Sequence, residues 1–209
     1  MKVQVLVDTP SSWIIPYAKQ LVERINKFGH QANFLSTHEE VEKGDILALL
    51  SCEKLFKDLE LNTYNLVVHE SDLPKGKGWS PLTWQILEGK NKIPVTLFEA
   101  DKKVDSGPIY DQKIISFEGH ELLPELKHMQ GEATVELIMN FIEKYPNVKG
   151  NEQKGESSYY PKRTIEDSEL DTSKSVDELF NLLRVCDNSR YPAYFEKKGI
   201  KYYLKIEKA

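Results

Sequence analysis

His69 and Asp105 are the two side chains of this sequence whose type and setting suit acid–base chemistry. An imidazole takes or gives a proton near pH 7. A carboxylate beside it orients the ring or holds its charge. His69 closes the β-compatible run YNLVVH. Asp105 stands in KKVDSGPIY, where Ser106 and Gly107 allow a tight turn. Both are expected on strand-end loops, and open α/β sheets gather ligands at the carboxyl ends of their strands. Ser51 and Cys52 end a third such run, DILALLSC. Position alone does not make a site. Most strand-end histidines are structural, and an aspartate before Ser-Gly is on its face a turn former. Taken by themselves, these residues name a candidate site and leave the reaction open.

Alternating strands and helices must position that pair. Residues 2–7 (KVQVLV) read as a first strand. Ile14, Ala18, Leu21, Val22 and Ile25 have helical spacing over 14–28, and Gly29 stops that helix. Further strands are expected at 32–35, 45–50, 64–69, 94–100 and 109–117. A helix over 81–87 has Ser80 as N-cap, Pro81 at its first position and Gly89 as its stop. A long amphipathic helix follows at 121–145. The alternation predicts a Rossmann-like α/β fold: an open, twisted, mostly parallel sheet with helices on both faces and an antiparallel strand near Ile109. Composition changes after Pro146. Residues 147–158 are polar and read as a linker. A short helix at 176–185, capped by Ser175, and a hairpin over 193–206 turning at Lys197-Lys198-Gly199 complete the chain. We therefore expect a catalytic domain over 1–150 and a small C-terminal extension over 151–209 that packs on it.

Bulk properties exclude several classes. The 209 residues suffice for one α/β domain with a real core. Hydrophobic residues make up 40% and charged residues 29%, which is globular. The net charge of −5 argues against nucleic acid as the main partner, since phosphate backbones need clustered cations. No apolar run is long enough for a leader or a membrane span, so a cytoplasmic protein without a membrane partner is expected. Cys52 and Cys186 make no disulfide framework. CxxC and HxxxH are absent, so no protein-bound metal is expected. No GxGxxG or GxxxxGK[ST] follows the first strand, which sets nicotinamide and P-loop chemistry aside.

Joint spacing adds what single residues cannot. His69, Ser71, Leu73-Pro74, Gly78 and Pro81, then PVTLFEA at 94–100, then Val104-Asp105-Ser106-Gly107 resemble the N10-formyltetrahydrofolate-dependent formyltransferases. The resemblance is strong over about residues 65–145. It implies His69 and Asp105 as catalytic groups. It also implies a folate-contacting loop at Ser71, Asp72, Leu73 and Pro74, with a pterin wall over 98–105 that includes Phe98 and Asp101. N10-formyltetrahydrofolate would be the co-substrate. An amine would attack the formyl carbon, His69 would stabilise the tetrahedral oxyanion and shuttle a proton, and Asp105 would keep the ring charged or orient a water. One residue departs from the pattern. The family has an asparagine two residues before the histidine, and Val67 stands there. Asn65 lies on the same strand face, roughly 6–7 Å further back. Another donor, such as Ser51, Ser80 or a backbone N–H, is expected to replace the amide.

The tail, YYPKRTIEDSELD and then VDELFNLLRVCDNSRYPAYF, resembles that of bacterial sugar-nucleotide N-formyltransferases of the short pseudaminic-pathway type. That implies a UDP-linked 4-amino-4,6-dideoxy sugar as acceptor. Arg190 and Tyr191 could offer a cation and a stacking face, and Lys75 and Lys77 could meet a diphosphate. Trp79 and Trp84 read as core cover, and Arg163 with Asp167 as an internal ion pair. The hairpin could complete a homodimer. Two other readings stay open: a non-catalytic binding protein on a degenerate formyltransferase fold, and a glycinamide-ribonucleotide-type enzyme.

Overall fold

Alternation of branched residues in the first segment sets the centre of the sheet. In a computed structural model, which describes all 209 residues, that segment is strand β1 (Lys2–Leu6). The chain continues through α1 (Ile15–Lys27), β2 (Gln31–Leu35), β3 (Gly44–Leu49), β4 (Asn62–His69), β5 (Lys77–Gly78), α2 (Pro81–Leu87), β6 (Lys92–Glu99) and β7 (Ile109–Ser116). It ends with α3 (Leu123–Lys144), β8 (Tyr159–Tyr160), α4 (Val176–Val185), β9 (Ala193–Lys197) and β10 (Ile200–Leu204). Six strands form one sheet in the order β2-β1-β3-β4-β6-β7. The first three pairings are parallel, and β6 and β7 each run antiparallel to their inner neighbour. The reversal therefore comes at β6, one strand earlier than the Ile109 strand. Helix α2 is short: seven residues rise only about 10 Å, against roughly 26 Å for the eight-residue β4. It does not carry the chain back along β4, and β6 starts at the same end and runs back.

The two sheet faces are covered differently. Val3, Val5, Ile46, Ala48 and Leu66 pack with the buried sides of α1, α2 and α3 in one large core. Their strand neighbours Leu6, Leu47, Leu49 and Val67 point to the opposite face. There they meet Val41, Phe56 and other residues of the segments between β2 and β4, which hold only two short 3-10 turns, His38–Glu40 and Leu59–Leu61. The helices thus lie on one face, not on both. Short connections after β2 and β3 leave no length for a helix on the second face. That face has a thin cover, which suits a cleft.

Capping follows the sequence at one helix and not at another. Ser175 Oγ accepts from the Glu178 N–H, and the Glu178 carboxylate accepts from the Ser175 N–H at 2.8 Å, as a capping box requires. Ser80 holds the cap position of α2, but its backbone is left-handed (φ 48°) and its side chain caps nothing. The hairpin turns at Lys198 and Gly199, both with positive φ.

Two ties bind the C-terminal residues to the sheet domain. One is Arg184 of α4, only 1% exposed. Its guanidinium donates to Asn91 Oδ1 at 2.7 Å and Asn181 Oδ1 at 2.9 Å, and lies 3.4 Å from Glu121 Oε2. The other is the pairing of β5 with β8, in which the N–H groups of Lys77 and Trp79 donate to the Ser158 and Tyr160 carbonyls. Gly78 is required there. Its φ is +97°, and a Cβ would sit 2.5 Å from the Tyr160 carbonyl oxygen. Arg184→Ala should lower stability in urea unfolding by about 1–3 kcal/mol, because it removes the donors to Asn91 and Asn181 while Glu121 keeps the Glu118 and Gly119 N–H groups. Gly78→Ala should cost more than about 1 kcal/mol and should speed amide exchange at Lys77 and Trp79 ahead of the rest of the sheet.

Candidate active site

Strand β4 delivers His69 to the sheet end, 7% exposed. Its Nε2 lies 2.8 Å from the Gly76 carbonyl oxygen. Only a protonated nitrogen can meet a carbonyl oxygen at that distance, so Nε2 carries the proton. Asp105 approaches the same nitrogen at 3.8 Å through Oδ2, and that oxygen also accepts the Gly78 N–H at 2.9 Å. The aspartate does not sit at a parallel strand's carboxyl end. β6 ends opposite Leu66, three positions before His69 on β4, and the loop after it folds back to bring Asp105 to the histidine. That return demands a left-handed backbone at Asp105, φ 49°. Gln153 braces it by donating from its amide to the Asp105 and Gly107 carbonyls at 3.1 and 2.9 Å. Asn151 exchanges two 2.8 Å backbone hydrogen bonds with Ile109. The stretch expected to be a linker is in fact a strap across the site.

Four residues other than glycine have positive φ, and three of them, Ser51, Ser80 and Asp105, line one cleft of about 470 Å³. Backbone strain concentrates where a site needs an unusual geometry. The cleft straddles the end of β4. On one side lie Leu49, Phe56, Val67, Phe98, Ala100 and Val104, with Asp101 at the edge. Trp13, Glu70, Pro81 and Gln130 lie on the side of the helices. His69, Asp105 and Gly78 stand where the sides meet.

Of the residues expected at the site, His69, Asp105, Phe98, Asp101, Arg190 and Tyr191 come together on this cleft. Six others face elsewhere. Ser71, Leu73 and Pro74 are buried in the loop, and the Ser71 carbonyl accepts from Thr96. Asp72 and Lys75 are exposed, and Asp72 accepts from Gln112. Lys77 is buried and spends its ammonium on Ser106 Oγ at 2.7 Å, locking its own loop to that of Asp105. It does not extend into the cleft.

As its place further back on β4 implies, Asn65 does not supply the missing amide of position 67: its side chain donates to the Leu59 carbonyl and Glu99, outside the cleft. Other expectations need correction. Ser51 and Ser80 do line it. Trp79 is 40% exposed on the cleft wall, with the Lys162 ammonium 4.5 Å from its ring centre. Trp84 stacks on Tyr160 and donates to the Pro161 carbonyl, pinning the strap. Arg163 makes no ion pair with Asp167, whose carboxylate caps Thr164. Arg163 is buried, donates to Ser168 Oγ and the Val185 carbonyl, and leaves Nε–H without a partner. It and Arg190 both approach the Tyr191 ring, at 5.4 and 5.9 Å. Lys162, Arg163 and Arg190 thus form a cationic stretch of the cleft wall. The adjacent Lys162-Arg163 after Pro161 was its signal in the sequence.

Glu70 was missed altogether. It is 9% exposed. Burial pushes its carboxyl up, the nearby Asp105 adds to this, and His69 and a hydrogen bond from Gln130 oppose it. Cys52 is no nucleophile: burial, helped by Asp8, pushes its thiol up to about 12.

No family model matches the chain. In sequence it is 32% identical over 139 residues to the methionyl-tRNA formyltransferase of Thermotoga maritima, covering 65% of this chain and 44% of that protein. The chain spans about half the length of the curated relatives it matches; for the methionyl-tRNA formyltransferase of Thermosipho melanesiensis the share is 48%. In structure it is similar to a methionyl-tRNA formyltransferase from Clostridium thermocellum. The TM-score is 0.84 at 18% identity, over 99% of this chain and 92% of that one. A sugar N-formyltransferase from Shewanella gives 0.74 at 14% identity, over 99% and 97%. HypX from Aquifex aeolicus in complex with tetrahydrofolic acid gives 0.78 at 18% identity, over 99% and 37%. In fold, and in sequence over 65% of its length, the chain is similar to methionyl-tRNA formyltransferases.

Proposed function

We propose that this protein is an N-formyltransferase that moves a formyl group from N10-formyltetrahydrofolate to the amine of a nucleotide-linked sugar, a UDP-4-amino-4,6-dideoxy sugar being the best candidate. The observation that carries this reading is His69 with a protonated Nε2, fixed by Gly76 and Asp105, at the junction of two chemically distinct cleft walls. The wall of Val67, Phe98, Ala100 and Val104 with Asp101 suits a flat heterocycle bearing N–H donors, as a reduced pterin is. The cations Lys162, Arg163 and Arg190 suit a diphosphate, and Tyr191 a nucleobase. The likeness to a sugar N-formyltransferase and to a tetrahydrofolate-bound protein supports both halves. The net charge of −5 speaks against a tRNA acceptor.

In this reading the co-substrate brings the activated formyl carbon. With Nε2–H held by Gly76, the imidazolium has Nδ1–H for the oxygen that gains charge, Asp105 stabilises that imidazolium, and the aromatic and apolar walls keep water from the acyl group. Val67 motivates a second reading, a binding protein without turnover, because valine has no donor for an oxyanion.

Incubation with formyl donor and a panel of UDP- and dTDP-amino sugars should yield a product heavier by one formyl group. No product from any of them, together with no binding of tetrahydrofolate, would refute the proposal. His69→Ala should lower kcat on the order of 10²-fold or more while tetrahydrofolate affinity stays within a few-fold. Val67→Asn tests the replacement of the missing amide: a rate within about threefold of the parent is expected, and a strong rise would mean that the parent has no substitute donor.

A further inference from the structure

We propose that Glu70 binds the acceptor's amine and takes a proton from it as the amine attacks. The inference rests on the N-formyl transfer reading and adds a residue to it. Three features point to Glu70. It is next in the chain to His69, lines the same cleft and is 9% exposed. Its main chain is fixed, since Gln85 Nε2 donates to its carbonyl at 2.5 Å. No lysine or arginine forms an ion pair with its carboxylate, and the neutral Gln130 side chain of α3 is its neighbour on the cleft wall. A carboxyl kept out of water without a cation is costly, and here it faces a cavity on the side away from the pterin-like wall. An alkylammonium group supplies the missing charge.

The groups around it are few. His69 and Asp105 carry the nearby charges. α2 presents neutral Gln85, α3 neutral Gln130, and the start of α1 Ser12 and Trp13. Lys162, Arg163 and Arg190 line the same cleft from the C-terminal segment. Burial strengthens the carboxylate as a base, so it can remove a proton that a surface carboxylate would leave in place.

The step balances as follows. The amine enters as R–NH3⁺ against the Glu70 carboxylate, which takes one proton and becomes the neutral acid. The freed lone pair forms the N–C bond, and the carbonyl π pair moves to oxygen. When the C–N10 bond breaks, its electron pair goes to N10. A second amine proton reaches N10 through His69, and the third stays on the new amide. Glu70 then returns its proton to solvent. The net reaction gives formamide, tetrahydrofolate and one proton.

The test is Glu70→Gln, which keeps shape and burial, assayed with formyl donor and a UDP-4-amino-4,6-dideoxy sugar. We expect kcat to fall on the order of 10²-fold, with KM for the formyl donor within twofold. The carboxylate must be ionised to act, so kcat/KM of the parent should rise with pH through the raised Glu70 pKa. The variant should lose that limb, and Glu70→Asp should restore part of it. A variant within threefold of an active parent, with the same profile, overturns the proposal. Calorimetry with the amino sugar and its 4-hydroxy counterpart supplies an arm without turnover. Glu70 predicts a preference for the amine that Glu70→Gln abolishes, and a parent that shows no preference overturns it. An inactive parent that keeps a Glu70-dependent preference instead refutes formyl transfer and leaves Glu70 as the amine site.

Discussion

One carboxylate oxygen holds the site together. Asp105 Oδ2 accepts the Gly78 N–H at 2.9 Å and stands 3.8 Å from His69 Nε2. Two loops from opposite directions of the sheet thus meet at a single atom. The loop after β4 is held from its other side by β8, and the loop after β6 is held by Gln153. Lys77 closes the same junction through Ser106. Charged hydrogen bonds inside a partly buried network are worth more than their exposed counterparts, and each depends on the others for its geometry. The left-handed backbone at Asp105 persists because these contacts over-determine it.

Charge is divided along the cleft. Acids, Glu70 and Asp105, lie beside the histidine at the strand end, and the cations Lys162, Arg163 and Arg190 come from the C-terminal segment. A substrate with an ammonium at one end and phosphates at the other would enter in one orientation only. Arg190 is partly engaged by Glu53 at 3.6 Å, whereas Arg163 keeps a buried N–H in reserve. The sheet's second face, covered without an α-helix, is thin beside the cleft wall of Val67, Phe98 and Ala100.

Periodicity made the six strands of the main sheet and the three longer helices legible, and Lys197-Lys198-Gly199 marked the hairpin turn; β5 and β8, two residues each, carry no repeat to read. The His69–Asp105 pair was legible because motif spacing survives even when a connecting strand reverses. Direction was not legible, because the segment between β4 and β6 is long enough for either sense. Lys77 misled because a lysine in a glycine-rich loop reads as exposed, and its burial is set by Ser106 from another loop. Ser80 misled because cap chemistry assumes extended backbone, and the loop forces it left-handed. Arg163 was assigned a partner near in sequence, while its real neighbours, Ser168, Val185 and Tyr191, converge only through the fold. Glu70 was invisible for a simpler reason. A glutamate beside a catalytic-looking histidine carries no periodic signal, and only packing against Gln85 and Gln130 shows that it is buried.

The strap over 151–160 has a consequence for the time at which this protein becomes competent. Residues 2–144 contain the whole sheet, both acids and the histidine. Yet Gly76 N–H bonds to Ser158 Oγ and β5 pairs with β8, so the loop bearing the Gly76 carbonyl, tied to Asp105 and Ser106 within the sheet domain, gains its second set of ties only from chain made later. On a ribosome the sheet can form while the strap is still in the exit tunnel. During that interval the Gly76 loop has only its ties to Asp105 and Ser106, and the cleft lacks Lys162, Arg163 and Arg190. The sheet is therefore complete in sequence before the segment that braces the His69 loop and lines the cleft with cations.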